Sequence, residues 1–203
     1  RAKLHENPDF KKEARQRQAY FYEQLLPQYQ EIRAALPNVN QEVYNILDCI
    51  NWCRKAGKDH LFISLVANIW EFCNLLGLWD EFSKLAIEAM EIGNKLNEPI
   101  SLRKIIFGLA MIAYNRGQLD QAEQLILKMK QISENIGDWE EVARAHKNLG
   151  HVAKKRGDFD VAERLLLQAL EMAQQANSEK EVLRITIQLG VVAMNRGDLS
   201  TAC

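Results

Sequence analysis

Glycine recurs at residues 77, 117, 157 and 197, so that four of the ten glycines are spaced 40 residues apart. Each of the first three opens a motif of glycine, any residue, an aromatic residue or leucine, and aspartate, as in Gly157-Asp158-Phe159-Asp160. Self-similarity at a fixed period is the signature of a repeat architecture, in which each unit buries its apolar face by stacking on its neighbours. The repeat therefore restricts the chain to a small set of folds.

The repeat units align without a gap. Three complete units and the start of a fourth occupy residues 77–116, 117–156, 157–196 and a truncated unit from 197. Each complete unit ends on arginine, at Arg116, Arg156 and Arg196. Late in each unit a leucine precedes a small residue, in Leu109-Ala110, Leu149-Gly150 and Leu189-Gly190. Because small side chains let two helices approach closely, these pairs predict helix–helix contacts.

Each unit contains two segments with the apolar spacing of an amphipathic helix. In the third unit Ala162, Leu166 and Ala169 lie three and four residues apart, and Ile185 and Leu189 continue the pattern after a break. Glycine at the turn lets the chain reverse tightly. The aspartates of the motif suit helix N-caps, where a carboxylate accepts from free backbone N–H groups: Asp80, Asp120 and Asp160. We therefore expect each unit to be a helical hairpin.

The composition favours helices throughout the chain. Of the 203 residues, 47% are hydrophobic, and 10 Gly with 4 Pro are fewer turn residues than a β-rich chain of this length needs. In the first third we expect helices over roughly 10–36, either straight or kinked at Pro27, and over roughly 41–56 and 60–76. Two regions are predicted, a helical lead-in or capping segment over 1–59 and a repeat array over 60–203, with about nine helices in all.

These motifs resemble the tetratricopeptide repeat (TPR) family. The resemblance rests on the Leu-small pair, the Gly-x-aromatic-Asp turn and the spacing of Ala162, Leu166 and Ala169, and it covers residues 60–203. The period of 40 residues exceeds the family's typical value of about 34. It is similar to the longer variety found in large bacterial signalling and regulatory proteins. The resemblance implies an all-α fold, a right-handed superhelical solenoid of antiparallel helix hairpins.

The first third resembles part of another class of proteins. Residues 19–22 (Ala-Tyr-Phe-Tyr), together with the apolar and tryptophan positions of 42–52 and 67–77, are similar to helices that follow the nucleotide-binding and winged-helix modules of bacterial STAND-type ATPases of the NB-ARC kind. Those proteins often end in a TPR sensor array. The resemblance implies an ATPase module upstream, since no GxxxxGK[ST] motif occurs in the chain. The first residue is Arg1 and the last lies inside a repeat, so we expect an excerpt of a longer polypeptide.

No pattern of residues predicts catalysis. His146 and His151 lie five residues apart, about 140° round a helix, and are expected to be ordinary surface or edge histidines. Carboxylates such as Glu179 and Glu181 stand at helix starts, where capping and dipole effects explain them. We therefore expect no enzyme active site, no cofactor and no metal site.

Cysteine usage and hydropathy bear on the compartment. Four cysteines are too few for a disulfide scaffold and are expected to be apolar core residues in a reducing cytosol: Cys49, Cys53, Cys73 and Cys203. No apolar run approaches the roughly 20 residues of a membrane span. These features predict a cytoplasmic location without membrane contact.

The TPR resemblance implies a concave groove lined by the first helix of each hairpin. The candidate partner-binding residues are Lys104, Phe107, Met111, Tyr114 and Asn115 in the first unit, Arg144, Lys147, His151, Lys154 and Lys155 in the second, and Arg184 and Asn195 in the third, with Ile187, Val191 and Met194 beside them. This groove would be basic in its centre with apolar patches on either side. The lysines could equally form a solvated face. The carboxylate clamp of chaperone-binding members is not matched, because Lys147 is followed four residues later by His151 and not by asparagine.

Two hypotheses for function follow. The first is a non-catalytic interaction scaffold that binds a protein or peptide segment of acidic or amphipathic character. The alternative is a regulatory, ligand-sensing arm that contacts an upstream STAND-type ATPase within the same polypeptide. Nucleic-acid binding is disfavoured, because 26 Lys and Arg are balanced by 27 Asp and Glu and the formal net charge is −1.

Overall fold

The structure is a computed structural model that describes residues 8–32 and 39–197. Over these ranges the chain forms nine α-helices and no β-strand, which confirms the predicted all-α class. In chain order the helices are α1 (Pro8–Ile32), α2 (Val39–Lys55), α3 (Asp59–Leu75), α4 (Trp79–Leu96), α5 (Pro99–Asn115), α6 (Leu119–Asn135), α7 (Trp139–Arg156), α8 (Phe159–Gln175) and α9 (Glu179–Arg196).

The turns between helices follow an interval of 20 residues, half the repeat seen in the glycines. At each interval one residue has a positive φ, between 53° and 89°: Gly57, Gly77, Asn97, Gly117, Gly137, Gly157, Asn177 and Gly197. A residue in the left-handed conformation ends a helix, because it turns the chain back so that the following N–H groups reach the last carbonyls of the helix. Glycine and asparagine adopt that conformation most readily. Two or three residues then suffice to link one helix to the next from α2 onwards.

The prediction that the motif aspartates are N-caps is wrong. The caps of α4, α6 and α8 lie two residues earlier, at Leu78, Gln118 and Asp158. The left-handed glycine reverses the chain so tightly that the next helix begins before the aspartate is reached. Asp80, Asp120 and Asp160 therefore lie in the first helical turn, where a carboxylate still opposes the positive end of the helix dipole.

Two of these aspartates also explain why the repeat units end on arginine. Arg156, at the end of α7, donates to Glu123 Oε2 at 2.7 Å and to Asp120 Oδ1 at 2.5 Å, both in the first turns of α6. Arg196 repeats the arrangement between the end of α9 and the start of α8, where it pairs with Asp160 and Glu163. The terminal arginine thus fixes the antiparallel register of its helix with the helix that precedes it in the chain.

Close packing occurs where the sequence places a small residue. A Cβ added to Gly150 of α7 would lie 3.0 Å from Leu166 Cγ and 3.3 Å from the Ala162 carbonyl oxygen of α8. This confirms that Gly150 marks a helix–helix contact. Around it the α7–α9 core contains the fully buried Ala143, Ala169 and Ile185.

A second close approach involves Gly108 of α5. A Cβ added to Gly108 would lie 2.6 Å from Phe82 Cζ and 2.9 Å from Trp70 Cβ. Phe82 and Phe62 are among the largest side chains that are fully buried. Gly108 therefore makes room for an aromatic ring that could not otherwise enter this core.

The chain consists of two compact units, residues 1–108 and 109–203. The division predicted at 59/60 stays a prediction. In the first unit, α1 runs through Pro27, while residues 33–36 of the predicted first helix lie outside the described residues. The truncated repeat after Gly197 also lies outside them. None of the helices in the described ranges is long and apolar enough to cross a membrane.

The cysteines of the described residues have the predicted character. Cys49, Cys53 and Cys73 are free thiols with no exposed surface. Burial raises the pKa of the Cys73 thiol to about 12, so this side chain is an unreactive thiol and packs as a small apolar residue. Cys203 lies outside the described residues.

Candidate functional site

Helix α7 carries five of the predicted groove residues, and its ends are well defined. Asp138 Oδ1 accepts a hydrogen bond of 3.3 Å from the backbone N–H of Glu141, which caps the N-terminus. Gly157, with φ 89°, closes the C-terminus. Between these ends α7 is buried almost continuously from Val142 to Ala153. It is therefore a central helix of residues 109–203, and polar side chains on it are held by neighbouring helices.

Lys147 does not extend into solvent. Its Nζ lies 2.6 Å from Oε2 of Glu181 on α9, and only 10% of the Lys147 side chain and none of the Glu181 side chain are exposed. Arg184 Nη1 donates to the other oxygen of Glu181 at 2.7 Å. Arg144 Nε lies 3.6 Å from the same oxygen, and Arg144 Nη1 donates to Glu141 at 2.5 Å. Lys147 and Arg144 of the predicted basic centre thus belong, with Arg184, to an ion-pair cluster in which each already has a carboxylate partner.

The pKa shifts in this cluster follow from three cations that share one buried carboxylate. Burial alone raises the pKa of Glu181, but the hydrogen bonds and charges of Lys147, Arg184 and Arg144 outweigh it, so the pKa lies below its ordinary value. Burial lowers the pKa of Lys147, and the bond to Glu181 offsets only part of that effect. The guanidinium groups compete with the ammonium for the same carboxylate. Glu181 is therefore ionised at neutral pH.

Two further lysines of α7 bridge to adjacent helices. Lys154 donates to Gln188 Oε1 of α9 at 2.8 Å. Lys155 donates to the Tyr114 carbonyl oxygen of α5 at 2.6 Å, and its Nζ stands 4.2 Å from the centroid of the Tyr114 ring, a cation–π distance. Burial raises the pKa of Tyr114. These bonds order the lysines on the surface formed by α5, α7 and α9, but Lys155 itself remains exposed.

The histidines of α7 differ from the surface histidines that were predicted. His146 is buried, so the prediction is wrong for it, because α7 is covered on more than one side. Within the part of the chain that the structure describes, neither ring nitrogen of His146, nor Nε2 of His151, nor Nδ2 of the buried Asn148 has a hydrogen-bond partner. Burial, with Lys154 and Lys147 nearby, lowers the pKa of His151 to about 4, and burial also lowers that of His146. Both rings are therefore neutral at pH 7.

Helix α9 presents the apolar part of the predicted surface. Ile187 is 55% exposed and Met194 is 60% exposed, while Val191 between them is half-buried. At spacings of three and four residues these side chains share one face of the helix. Arg184 and Asn195 flank this stripe and are exposed. The surface therefore combines an apolar stripe with a cation that reaches solvent.

Two predicted residues belong to the other unit. Lys104 donates to Asn68 Oδ1 of α3 at 3.0 Å. The Phe107 ring meets the Trp70 ring edge-on, with 5.5 Å between centroids. Met111 and Tyr114 of the same helix are half-buried and Asn115 is exposed, and these three belong to residues 109–203. The structure thus brings together the predicted residues of α7, α9 and the end of α5, and holds Lys104 and Phe107 in a separate cluster.

Sequence reasoning missed the acceptors that hold the basic side chains. Glu181 follows Lys147 by 34 residues, and Gln188 follows Lys154 by the same interval. That shared interval is a signal that the sequence contains, because it twice pairs a lysine of α7 with an acceptor on α9, two helices separated by α8. Glu181 does lie in the first turn of α9, as predicted, but its side chain is fully buried and pairs with Lys147.

No group of three His, Cys, Asp or Glu within residues 8–32 and 39–197 is arranged to hold a metal ion.

The described fold and the repeated turn geometry define a helical-repeat protein. The family model described as tetratricopeptide repeat matches residues 101–175, which extend from α5 to α8, and these residues form tetratricopeptide repeats. No curated protein matches the chain in sequence.

Solved structures with the same fold are distant in sequence. The apo form of RapI is 15% identical, with a TM-score of 0.72 over 91% of this chain and 66% of its own. A STAND protein with a tetratricopeptide repeat sensor, from Pyrococcus horikoshii, is 16% identical, with a TM-score of 0.67 over 89% of this chain and 29% of its own. A Rap protein complexed with Competence and Sporulation Factor is 15% identical, with a TM-score of 0.62 over 85% of this chain and 54% of its own. At these identities the similarity establishes the fold.

Proposed function

We propose that this chain is a non-catalytic scaffold that binds an amphipathic segment of another protein on the surface formed by α7, α9 and the end of α5. The observation that carries the proposal is the exposure of Ile187 and Met194 on one face of α9, beside the solvent-accessible guanidinium of Arg184. Apolar anchors with a flanking charge are the usual requirement for docking an amphipathic helix. A soluble scaffold of this kind would act in the cytoplasm, in keeping with the three buried free thiols.

Charge is a secondary part of this proposal. Lys147 and Arg144 are paired with Glu181 and Glu141, so they contribute little free charge to a partner. Lys155 and Arg184 are exposed on this surface, and Arg184 reaches solvent although it also pairs with Glu181. We therefore expect a partner with an apolar face and one or two acidic residues, and not a uniformly acidic peptide.

The test uses peptides selected from a displayed library of short amphipathic sequences for binding to the chain. The variant Ile187→Ser/Met194→Ser removes the apolar stripe. The control Leu127→Ser/Leu167→Ser makes the same chemical change on α6 and α8, at side chains that are 48% and 51% exposed. We expect the first variant to weaken binding of a selected peptide at least about tenfold and the control to leave it unchanged.

Equal loss in both variants, or no loss in the first, would contradict the assignment of this surface. Reversal of Lys147 is unsuitable as a test, because an acidic side chain there would face the buried Glu181 and disturb the fold. Arg184→Glu is the better charge reversal, since Arg184 is half-exposed and can turn into solvent. It should weaken binding of acidic peptides and leave neutral ones unaffected.

The alternative function is a sensor arm of a STAND-type ATPase. It is supported by the similarity in fold to the sensor-containing STAND protein, which this chain covers over 29% of its length. The discriminating observation is the sequence that precedes Arg1 in the gene. A GxxxxGK[ST] motif there, with ATP hydrolysis that changes when α9 is altered by Ile187→Ser/Met194→Ser, would favour this alternative.

A further inference from the structure

A cavity of about 390 Å³ lies between α1 and α2, in the first unit and apart from the surface described above. Small-molecule sites usually have volumes between roughly 300 and 1,000 Å³. Its lining contains four basic side chains, one carboxylate and one indole: Lys11, Lys12, Arg15, Lys55, Asp48 and Trp52. The cavity is therefore large enough for a small ligand and carries an excess of positive charge.

Arg15 and Asp48 of this cavity pair with each other, whereas its three lysines have no ion-pair partner among the described residues. Arg15 Nη1 lies 2.8 Å from Asp48 Oδ2 and donates to Gln18 Oε1 at 3.1 Å, so the guanidinium and the carboxylate satisfy each other. Lys11, Lys12 and Lys55 are exposed, and no ion pair joins them to any residue in the part of the chain that the structure describes. Three lysines from two helices thus line one cavity, whose single carboxylate is already paired with Arg15.

We propose that this cavity binds a phosphate-bearing small anion. Lysine binds phosphate as a point charge. Arginine, whose planar fork suits carboxylate and phosphate alike, is represented in this cavity by Arg15, which is already occupied by Asp48. A phosphate dianion offers three oxygens to three ammonium groups. The half-buried Trp52 forms an apolar wall for the part of the ligand that carries the phosphate.

The test uses inorganic pyrophosphate, titrated into the full chain while the indole N–H signals are followed by NMR. The chain contains four tryptophans, and the signal of Trp52 is assigned by its disappearance in Trp52→Phe. The variant Lys12→Glu/Lys55→Glu reverses two cations of the cavity. The control Lys84→Glu/Lys95→Glu makes the same change in net charge at two exposed lysines of the same unit that do not line the cavity.

We expect pyrophosphate to shift the Trp52 signal with saturation. Lys12→Glu/Lys55→Glu should weaken pyrophosphate binding at least about tenfold, whereas the control should change it less than about threefold. A shift that does not saturate, an equal loss in both variants, or tighter binding of an acidic peptide than of pyrophosphate would overturn the proposal. Retention on vesicles that contain a phosphoinositide, lost in the same variant, would assign the ligand as a lipid headgroup. Pyrophosphate binding without vesicle retention would assign it as a soluble molecule.

The two proposals can fail independently. The cavity lies within residues 1–108, whereas the residues tested for peptide binding belong to 109–203. Loss of pyrophosphate binding with intact peptide binding, or the reverse, therefore identifies the proposal at fault.

Discussion

Replacement of Glu181 by leucine should be much more damaging than replacement of its partner Lys147 by methionine. In Glu181→Leu the Lys147 ammonium remains in place with 10% of its side chain exposed and no carboxylate beside it. Removing one partner of a buried ion pair typically costs about 3–5 kcal/mol, because the other charge is left without compensation. Arg184 and Arg144 suffer less, since Arg184 can turn to water and Arg144 keeps Glu141.

The reciprocal variant has a smaller effect for a structural reason. In Lys147→Met the Glu181 carboxylate still accepts from Arg184 and stays close to Arg144, so we expect a loss of about 1–2 kcal/mol. The double variant Lys147→Met/Glu181→Leu replaces the pair with apolar side chains of similar size and should lie within about 1.5 kcal/mol of the parent chain. A double-mutant cycle then gives a coupling energy of at least about 2 kcal/mol.

Urea unfolding at pH 7, followed by far-UV circular dichroism, measures these differences, and amide hydrogen exchange in α7 and α9 localises them. The slope of unfolding free energy with urea should stay constant between variants. Equal losses for the two single variants, or a loss below about 1 kcal/mol for Glu181→Leu, would refute the reasoning that one carboxylate serves three cations. As a control in the same assay, Lys128→Gln at an exposed position measures the effect of losing a surface cation.

Other predictions concern single features of the fold. The pKa of His151, about 4 in the folded chain against 6.5 when unfolded, means that the unfolded state binds more protons between these values. The contribution of His151 to the free energy of unfolding should therefore be fully present above pH 6.5 and fall by up to about 3 kcal/mol towards pH 4. His151→Asn should flatten this part of the pH profile of urea unfolding. An unchanged slope would exclude His151 as the source of the pH dependence. Gly108→Ala should lower the free energy of unfolding by about 1–3 kcal/mol, because the added methyl meets the Phe82 ring, and a gain in thermal stability would show that the ring moves freely. Gly157→Ala should lower the free energy of unfolding by about 1–2 kcal/mol from backbone strain alone, since nothing lies within 4 Å of the added Cβ. Gly137→Asn should destabilise the fold much less, because Asn97 and Asn177 occupy the equivalent turn position. Equal melting temperatures for the two variants would contradict this account.

The repeat could be predicted because its determinants are local. A glycine with positive φ, an apolar stripe and a small residue at a contact each act over a few residues, so Gly157, Ala162 and Gly150 indicate hairpins without knowledge of the rest of the chain. The half-period of 20 residues was missed because Asn97 and Asn177 replace glycine at two of the turns. Asparagine tolerates the left-handed region through its short polar side chain. Either glycine or asparagine can therefore form the same turn.

The candidate surface was less predictable, because it depends on contacts between helices far apart in sequence. Helical spacing places Lys147 on a face but does not show that Glu181, 34 residues later, lies under it. For the same reason His146 was expected at the surface, although α7 is covered by neighbours on several sides. Whether a charged side chain can contact a partner thus depends on the helices packed around it and not only on the helix that carries it.

The short links described between helices also determine how such a stack can open. A link of two or three residues spans at most about 10 Å when fully extended, which is close to the 8–10 Å between the axes of packed helices. The link is therefore too short for a helix to separate from the next helix while both remain fully helical. Separation requires one turn at a helix end to melt first, so the stiffness of the array is set by the unwinding of helix termini. Amides next to Gly137 and Gly157 should accordingly exchange with solvent before any amide at a helix centre.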